Sequence, residues 1–199
     1  MIRCLLCLAL LATGLPTALA ATYRIDSNET AASYETRFLG VLPMRGDFRR
    51  SSGTLVYDRA TRSGNIDIRI DVASMVSSTA KAEATARGPD FFNVERHPFI
   101  TFKAATFVFD NDQLRTVEGE LTLVGVTRPV VLIIQQAHCE PAICRAEGEV
   151  VVQRSSFGMK SWSRTVSDDV TIRISLVARA ETPESKTPPA GEPVAPAVN

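Results

Sequence analysis

Apolar and polar residues alternate almost strictly in "NIDIRIDV", residues 65–72, where Ile66, Ile68, Ile70 and Val72 take one parity and Asn65, Asp67, Arg69 and Asp71 the other. A period of two marks a strand with one face on a core, because successive side chains of an extended backbone point to opposite sides. "VTIRISL", residues 170–176, repeats the pattern with Val170, Ile172, Ile174 and Leu176 inward. Less regular runs over 31–39, 46–49, 53–57, 99–109, 114–124, 130–135 and 147–154 bring the expected strands to about eight or nine. The gaps, such as "DRATRSGN", "DNDQ" and "GVTRP", are short and rich in turn formers. Neighbours are therefore expected as antiparallel hairpin partners, and the sheet as an up-and-down barrel. One segment departs from this rhythm. "STAKAEATARG", residues 78–88, is alanine-rich, has Ser78 or Thr79 as a candidate N-cap and stops at Gly88-Pro89, which predicts one short helix.

The ends of the chain follow other patterns. Residues 1–20 have a basic start at Arg3, an apolar run from Cys4 to Leu15, Pro16, and Ala18-Leu19-Ala20. That is the pattern of a secretory signal peptide cut after Ala20. The apolar run is shorter than the roughly 20 residues that span a bilayer, so a periplasmic or secreted protein without a stable membrane anchor is expected. Residues 181–199 hold five prolines among small residues and read as a disordered tail. The expected division is thus a leader, one barrel domain over 21–180, and that tail.

With cleavage, Cys139 and Cys144 are the cysteines left, in "HCEPAIC". An oxidising compartment favours a disulfide between them across a proline-containing turn. The alternative is a metal site of His138, Cys139 and Cys144 with His97, but that spacing matches none of the usual zinc patterns. The formal net charge of zero provides no broad cationic surface for a nucleic-acid partner. The chain has no Gly-x-Ser-x-Gly, no glycine-rich phosphate loop and no His-Glu-x-x-His, and its histidines are His97 and His138 alone. An enzyme is therefore the minority reading, with no catalytic residue, metal or cofactor assigned.

"GPDFFNVERHPFITF", residues 88–102, concentrates four phenylalanines just after the expected helix. Phe91 and Phe92 follow the helix break, while Phe99 and Phe102 lie in the next strand, so these rings are placed to cover one end of a barrel. They read equally as a plug of the core or as the gate of a ligand cavity. Counting by twos puts Ile100, Phe102 and Ala104 on one inward face, with Lys103 to water.

Four segments in order, "FLGVLPMRGDFRRSSGTLVYD", "PDFFNVERHPFITF", "VEGELTLVGVTRPVVL" and "VQRSSFGMKSWSRTVSDDVTIRISL", together resemble the YceI-like family of exported lipid-binding proteins. The resemblance implies an all-β fold: an eight-stranded antiparallel lipocalin-like barrel with one short helical segment at its mouth. It further implies a polyisoprenoid or similar long-chain amphiphilic lipid in an apolar lumen, a quinone-like ligand being one form, and no catalytic residue. On it, the candidate lipid contacts are Phe38, Phe91, Phe92, Ile100, Phe102 and Ala104 from the first half of the domain. From the second half they are Leu121, Leu123, Leu132, Val152, Arg154, Phe157, Met159 and Trp162. Two positions depart from the family pattern. Phe38 stands where many relatives have histidine, and Ala82-Glu83-Ala84-Thr85-Ala86 replaces a more polar helix motif. Arg154, on one parity with Val150 and Val152, reads either as a substitute cation for a phosphate or quinone oxygen or as a strand-end arginine reaching water. Trp162 reads as a rim ring or as ordinary packing. Two other functions stay open: a ligand-free barrel that binds another envelope protein, with a dimer also compatible, and a lipid hydrolase whose groups meet only in the fold.

Overall fold

The computed structural model describes residues 20–181. The expected leader and Pro-rich tail lie outside the described residues, apart from Ala20 and Glu181 at their borders. The strands are β1 (Ala21–Ile25), β2 (Ala31–Phe38), β3 (Leu42–Phe48), β4 (Ser51–Asp58), β5 (Ser63–Asp71) and β6 (Met75–Ser77). After helix α1 (Ala80–Arg87) come β7 (Phe99–Asp110), β8 (Gln113–Leu123), β9 (Val126–Cys139), β10 (Ile143–Gln153) and β11 (Asp169–Ala180). Every pairing is antiparallel, and β1 joins β11 to β4, closing the ring β1-β4-β5-β7-β8-β9-β10-β11. The antiparallel barrel expected from the alternation, with the eight staves that the family resemblance implies, is therefore what forms, and closure leaves that ring without a free edge.

The three additional strands come from breaks in the first three staves. β11 pairs through Ala178–Ala180 with β1 and through 171–175 with β2, so the chain changes level between Ile25 and Ala31. At that step the buried Thr30 hydroxyl accepts from the Val177 N–H and donates to its carbonyl, both at 3.0 Å. A side chain thus supplies the ladder partner that the backbone has moved away from. The next stave breaks at Arg49-Arg50, whose N–H groups donate to the buried Ser74 hydroxyl at 3.1 and 3.0 Å. The third breaks at a short 3-10 turn, Val72–Ser74, where the Asp71 carboxylate accepts from the Ala73 N–H at 2.8 Å. Beyond these breaks β2, β3 and β6 form a flap beside β11, so one end of the barrel flares into a mouth.

Helix α1 stands over that mouth. Thr79 is its N-cap, its hydroxyl accepting from the Ala82 N–H at 3.1 Å, and Gly88 ends it. Arg87 ties it to the flap by donating to the carbonyls of Ala73 at 2.9 Å and Met75 at 2.6 Å. At the opposite end the staves meet in polar turns, and Cys139 is bonded to Cys144 with an S–S length of 2.06 Å.

Two details correct the sequence reading. "GVTRP" is not a loop: the chain reverses at Val124-Gly125, and Thr127, Arg128 and Pro129 lie within β9. β9 has no β10 partner before Ile133, so Pro129 removes no ladder bond on that side. β10 also stops at Gln153, and Arg154 begins a 3-10 turn rather than ending a strand.

Candidate functional site

The inward parity of the strands encloses a cavity of about 530 Å³ that opens at the mouth. Its wall is almost wholly apolar. A second space of about 220 Å³ lies toward the far end, and Ile68, Phe102, Leu132 and Ile174 border both, forming a waist between them. Cavities of roughly 300–1,000 Å³ are typical of small-molecule sites, whereas a side-chain-filled barrel core leaves few voids.

An aromatic corner of Tyr34, Phe48 and Phe92 builds the mouth side of the wall. Ring centroids are 5.4 Å apart for Tyr34 and Phe92, 5.7 Å for Phe48 and Phe92, and 6.0 Å for Tyr34 and Phe48. The Tyr34 ring lies over its cross-strand partner Gly46, where a Cβ would stand 2.4 Å from the ring, so a larger residue there would push the ring aside. The four phenylalanines of residues 88–102 thus divide. Phe92 and Phe102 face the lumen, Phe91 stands at the rim 6.0 Å from Trp162, and Phe99 is outside beneath the Arg69 guanidinium at 4.9 Å.

Of the residues expected around a ligand, Phe38, Phe91, Phe92, Ile100, Phe102, Leu121 and Leu123 line the cavity. So do Leu132, Val152, Met159 and Trp162. Two expectations are corrected. Ala104 is inward and buried but does not border the cavity; it is packed between its partners Ile66 and Gly119, beside a register shift that ends the strict alternation of β7. Phe157 is buried in the 3-10 turn after β10 and likewise does not border the cavity.

Arg154 borders the lumen but fits neither reading made for it. It is only 3% exposed, so it does not reach water. Its guanidinium donates to four backbone carbonyls: Ser167 at 3.1 Å, Met159 and Ser161 at 2.7 Å, and Val166 at 3.0 Å. With those donors engaged it is the hub that folds residues 154–168 over the mouth. Asp168 completes the loop, accepting from the Ser155 N–H at 2.8 Å and hydroxyl at 2.7 Å, bonds that hold its carboxyl below the usual carboxylate range.

Two of the lumen's other hydroxyls are similarly consumed. Thr36 donates to the Asp169 carbonyl at 3.0 Å, and Thr85 to Lys81 at 2.9 Å. Tyr34 is different. Its hydroxyl has no hydrogen-bond partner among the described residues, and burial, with the Asp47 carboxylate adding repulsion, pushes the phenol up to about 12. Within the wall it remains able to donate to a guest, as the exposed Lys81 does at the rim. The sequence reading missed it; the available signal was the shared parity of Tyr34, Thr36 and Phe38 in β2.

The metal alternative does not assemble. Cys139 and Cys144 are joined in a disulfide at the far end, whereas His97 packs its ring on the Gly125 turn at the mouth. Gly125 has φ +75°, and a Cβ there would meet that ring at 2.8 Å.

Known proteins share this architecture and sequence. The YceI-like domain profile matches residues 23–178. The protein YceI of Shigella flexneri is 29% identical over 168 residues, covering 80% of this chain and 87% of its own. A UPF0312 protein of Pseudomonas aeruginosa is 30% identical over 167 residues, with the same shares of 80% and 87%. Among solved structures, BcnA of Burkholderia cenocepacia superposes with a TM-score of 0.70 at 23% identity, over 77% of this chain and 98% of its own. A polyisoprenoid binding domain from Saccharophagus degradans superposes with a TM-score of 0.61 at 14% identity, over 81% and 99%. At those identities the two structures speak for the fold alone.

Proposed function

The chain belongs to the YceI-like family, and on that premise we propose that it is an exported carrier or storage protein for a polyisoprenoid or similar long-chain amphiphile, periplasmic or secreted. The observation that carries this reading is the open apolar lumen of about 530 Å³. Burial of methylenes releases about 0.8 kcal/mol each, so a dozen contribute roughly 10 kcal/mol gross, against an association cost of about 4–15 kcal/mol. A chain of that length or longer is therefore what the wall can hold by apolar burial. A domain of the same fold is described as polyisoprenoid-binding, and the proposal carries that chemical class over to this chain. Tyr34 offers the guest one donor, which suits a neutral or anionic oxygen near the chain's polar end. The proposal assigns no covalent step to the lumen, and export rests on the pattern of residues 1–20.

Native mass spectrometry and solvent extraction of protein purified from its own host test the proposal directly. A long-chain lipid at near one per barrel is expected. Ile172→Trp, which places an indole in the lumen from β11, should empty the protein or shorten its guest while the melting temperature stays within a few degrees. A wild type that is repeatedly empty and takes up no farnesol in solution would overturn the reading.

A further inference from the structure

The mouth carries an exposed apolar crest that reaches beyond the lumen. At the β2–β3 turn Leu39 is 58% exposed and Val41 75%, and neither borders the cavity. Beside them Leu42 is 56% and Trp162 49% exposed. These residues belong to one surface, because the Leu39 N–H donates to the Thr165 carbonyl at 2.6 Å and Phe38 bridges to Val166. The crest is held outward by unusual backbone: Leu39 has φ 51° and Trp162 φ 58°, in the left-handed region that bulky side chains rarely occupy. The turn from Phe38 to Val41 has two central residues at positive φ, Leu39 and Gly40, positions that ordinarily select Asn or Asp with Gly; here the first is leucine. Trp162 is steadied from behind by Asp90, which accepts from its indole N–H at 3.3 Å.

Charge surrounds that crest with one sign in excess. The chain is neutral overall, yet the segments at the mouth (37–44, 78–98, 124–128 and 154–168) hold eight lysines and arginines against four aspartates and glutamates. Arg154 is consumed inside the loop, and Arg87 pairs with Glu83 at 2.9 Å. Arg37, Lys81, Lys160 and Arg164 have no carboxylate partner among the described residues. Elsewhere on the barrel, arginines such as Arg45, Arg50, Arg173 and Arg179 are paired with acids.

We propose that the mouth docks on a lipid bilayer bearing anionic head groups, with Leu39, Val41 and Trp162 entering the interface and Arg37, Lys160 and Arg164 lying at head-group level. An apolar crest ringed by unpaired cations is the complement of such a surface, whereas a second copy of this chain would bring cation against cation. Tryptophan is also the ring that settles at the boundary of water and hydrocarbon. Docked in this way, the lumen opens toward the membrane, so a long-chain guest can pass between bilayer and barrel without crossing water.

Trp162 is the chain's single tryptophan and reports the event itself. The protein is purified in the form its host accumulates, and each variant is compared with its parent in that form. On addition of phosphatidylcholine–phosphatidylglycerol vesicles, Trp162 emission should shift to the blue and be quenched by brominated acyl chains. Phosphatidylcholine vesicles alone should bind far less, and added salt should weaken the anionic case. The Lys160→Gln, Arg164→Gln double variant should bind anionic vesicles about thirtyfold more weakly, at about fivefold per cation. Val41→Asp should abolish co-flotation while farnesol uptake in solution and melting are unchanged. If Val41→Asp floats with anionic vesicles as the parent does, or if the parent dimerises through this crest and ignores vesicles, the docking proposal fails. Farnesol uptake is read without vesicles, so failure of the lumen reading registers separately.

Discussion

At the far end of the barrel the turns are tied to one another on the outside: Arg59 donates to the Cys139 carbonyl, and Arg62 to the Asn111 carbonyl at 2.8 Å and to Asp112. At the mouth the arrangement is inverted. The polar contacts turn inward onto Arg154, while Leu39, Val41 and Trp162 face out. The far end therefore divides its closure among several exposed contacts, each weak because water and salt compete for it. The mouth concentrates its order in one buried cation, leaving its outer surface free for other uses. If this contrast is right, substitutions at the two ends should differ in kind as well as in size.

The largest effect is expected at Arg154. Replacing it with Leu leaves the carbonyls of Met159, Ser161, Val166 and Ser167 without their donor in a buried loop, which should cost about 3–5 kcal/mol. Arg154→Lys should recover little, since an ammonium cannot reproduce the planar fork that reaches four acceptors. Urea unfolding measures both. A variant as stable as the parent but unable to hold a guest would show instead that Arg154 serves the ligand, and would break the comparison at its strongest point.

Tyr34 sharpens the comparison through pH. Its phenol titrates near 12 when folded, against an ordinary value of 10.0. Between those values the unfolded chain releases the proton while the folded protein retains it, so stability is intact below pH 10 and falls as pH rises toward 12. Two units correspond to about 3 kcal/mol. Tyr34→Phe should remove this group's share of the alkaline loss. Chemical denaturation at pH 9 and pH 11.5, parent against variant, checks it; equal slopes with pH would mean that the hydroxyl is solvated rather than enclosed in the lumen wall.

What the sequence made legible follows the same division between regular and irregular backbone. Parity in β5 and β11 marked Ile68, Ile70, Ile172 and Ile174 as inward, and all four border the cavity. Parity also put Arg154 on the inner side of β10's line, and it is inward, but hydrogen bonds to carbonyls five to thirteen residues away are invisible to a count by twos. Ala104 failed for the converse reason: the register shifts between Ala104 and Thr106, and inward orientation alone does not say which part of the interior is empty. The breaks in the first two staves were hidden because their chemistry belongs to single hydroxyls, Thr30 and Ser74, which look like ordinary strand and turn residues until Val177 and Arg49-Arg50 are placed against them. The short helix was readable because its cap is local, Thr79 to Ala82.

A smaller effect is expected from the disulfide. Removing it by the Cys139→Ala, Cys144→Ala pair releases a loop of only a few residues, which on the chain-entropy account costs about 2 kcal/mol. Guest retention and vesicle affinity should not change, because the bond lies at the end away from the mouth. Thermal melts, lipid extraction and co-flotation on the same preparation check all three. A loss of guest would mean that the far end is coupled to the lumen wall, and the two ends could no longer be treated as separate.

The smallest effect is expected at Arg62, which makes two contacts yet sits at an exposed turn: its pair with Asp112 has side-chain exposures of 50% and 86%. The Asn111 carbonyl that it bonds can turn to water when the guanidinium is removed, so nothing is left both buried and unpaired. Arg62→Ala should therefore change stability by no more than about 1 kcal/mol, and raised salt should shrink even that difference. Denaturation at low and high salt distinguishes this from a structural role. The result also bears on Arg154, for both are arginines that bind backbone carbonyls near a loop. A loss at Arg62 as large as that at Arg154 would mean that burial does not set the cost, and the inward hub of the mouth would have no special standing over the exposed ties of the far end.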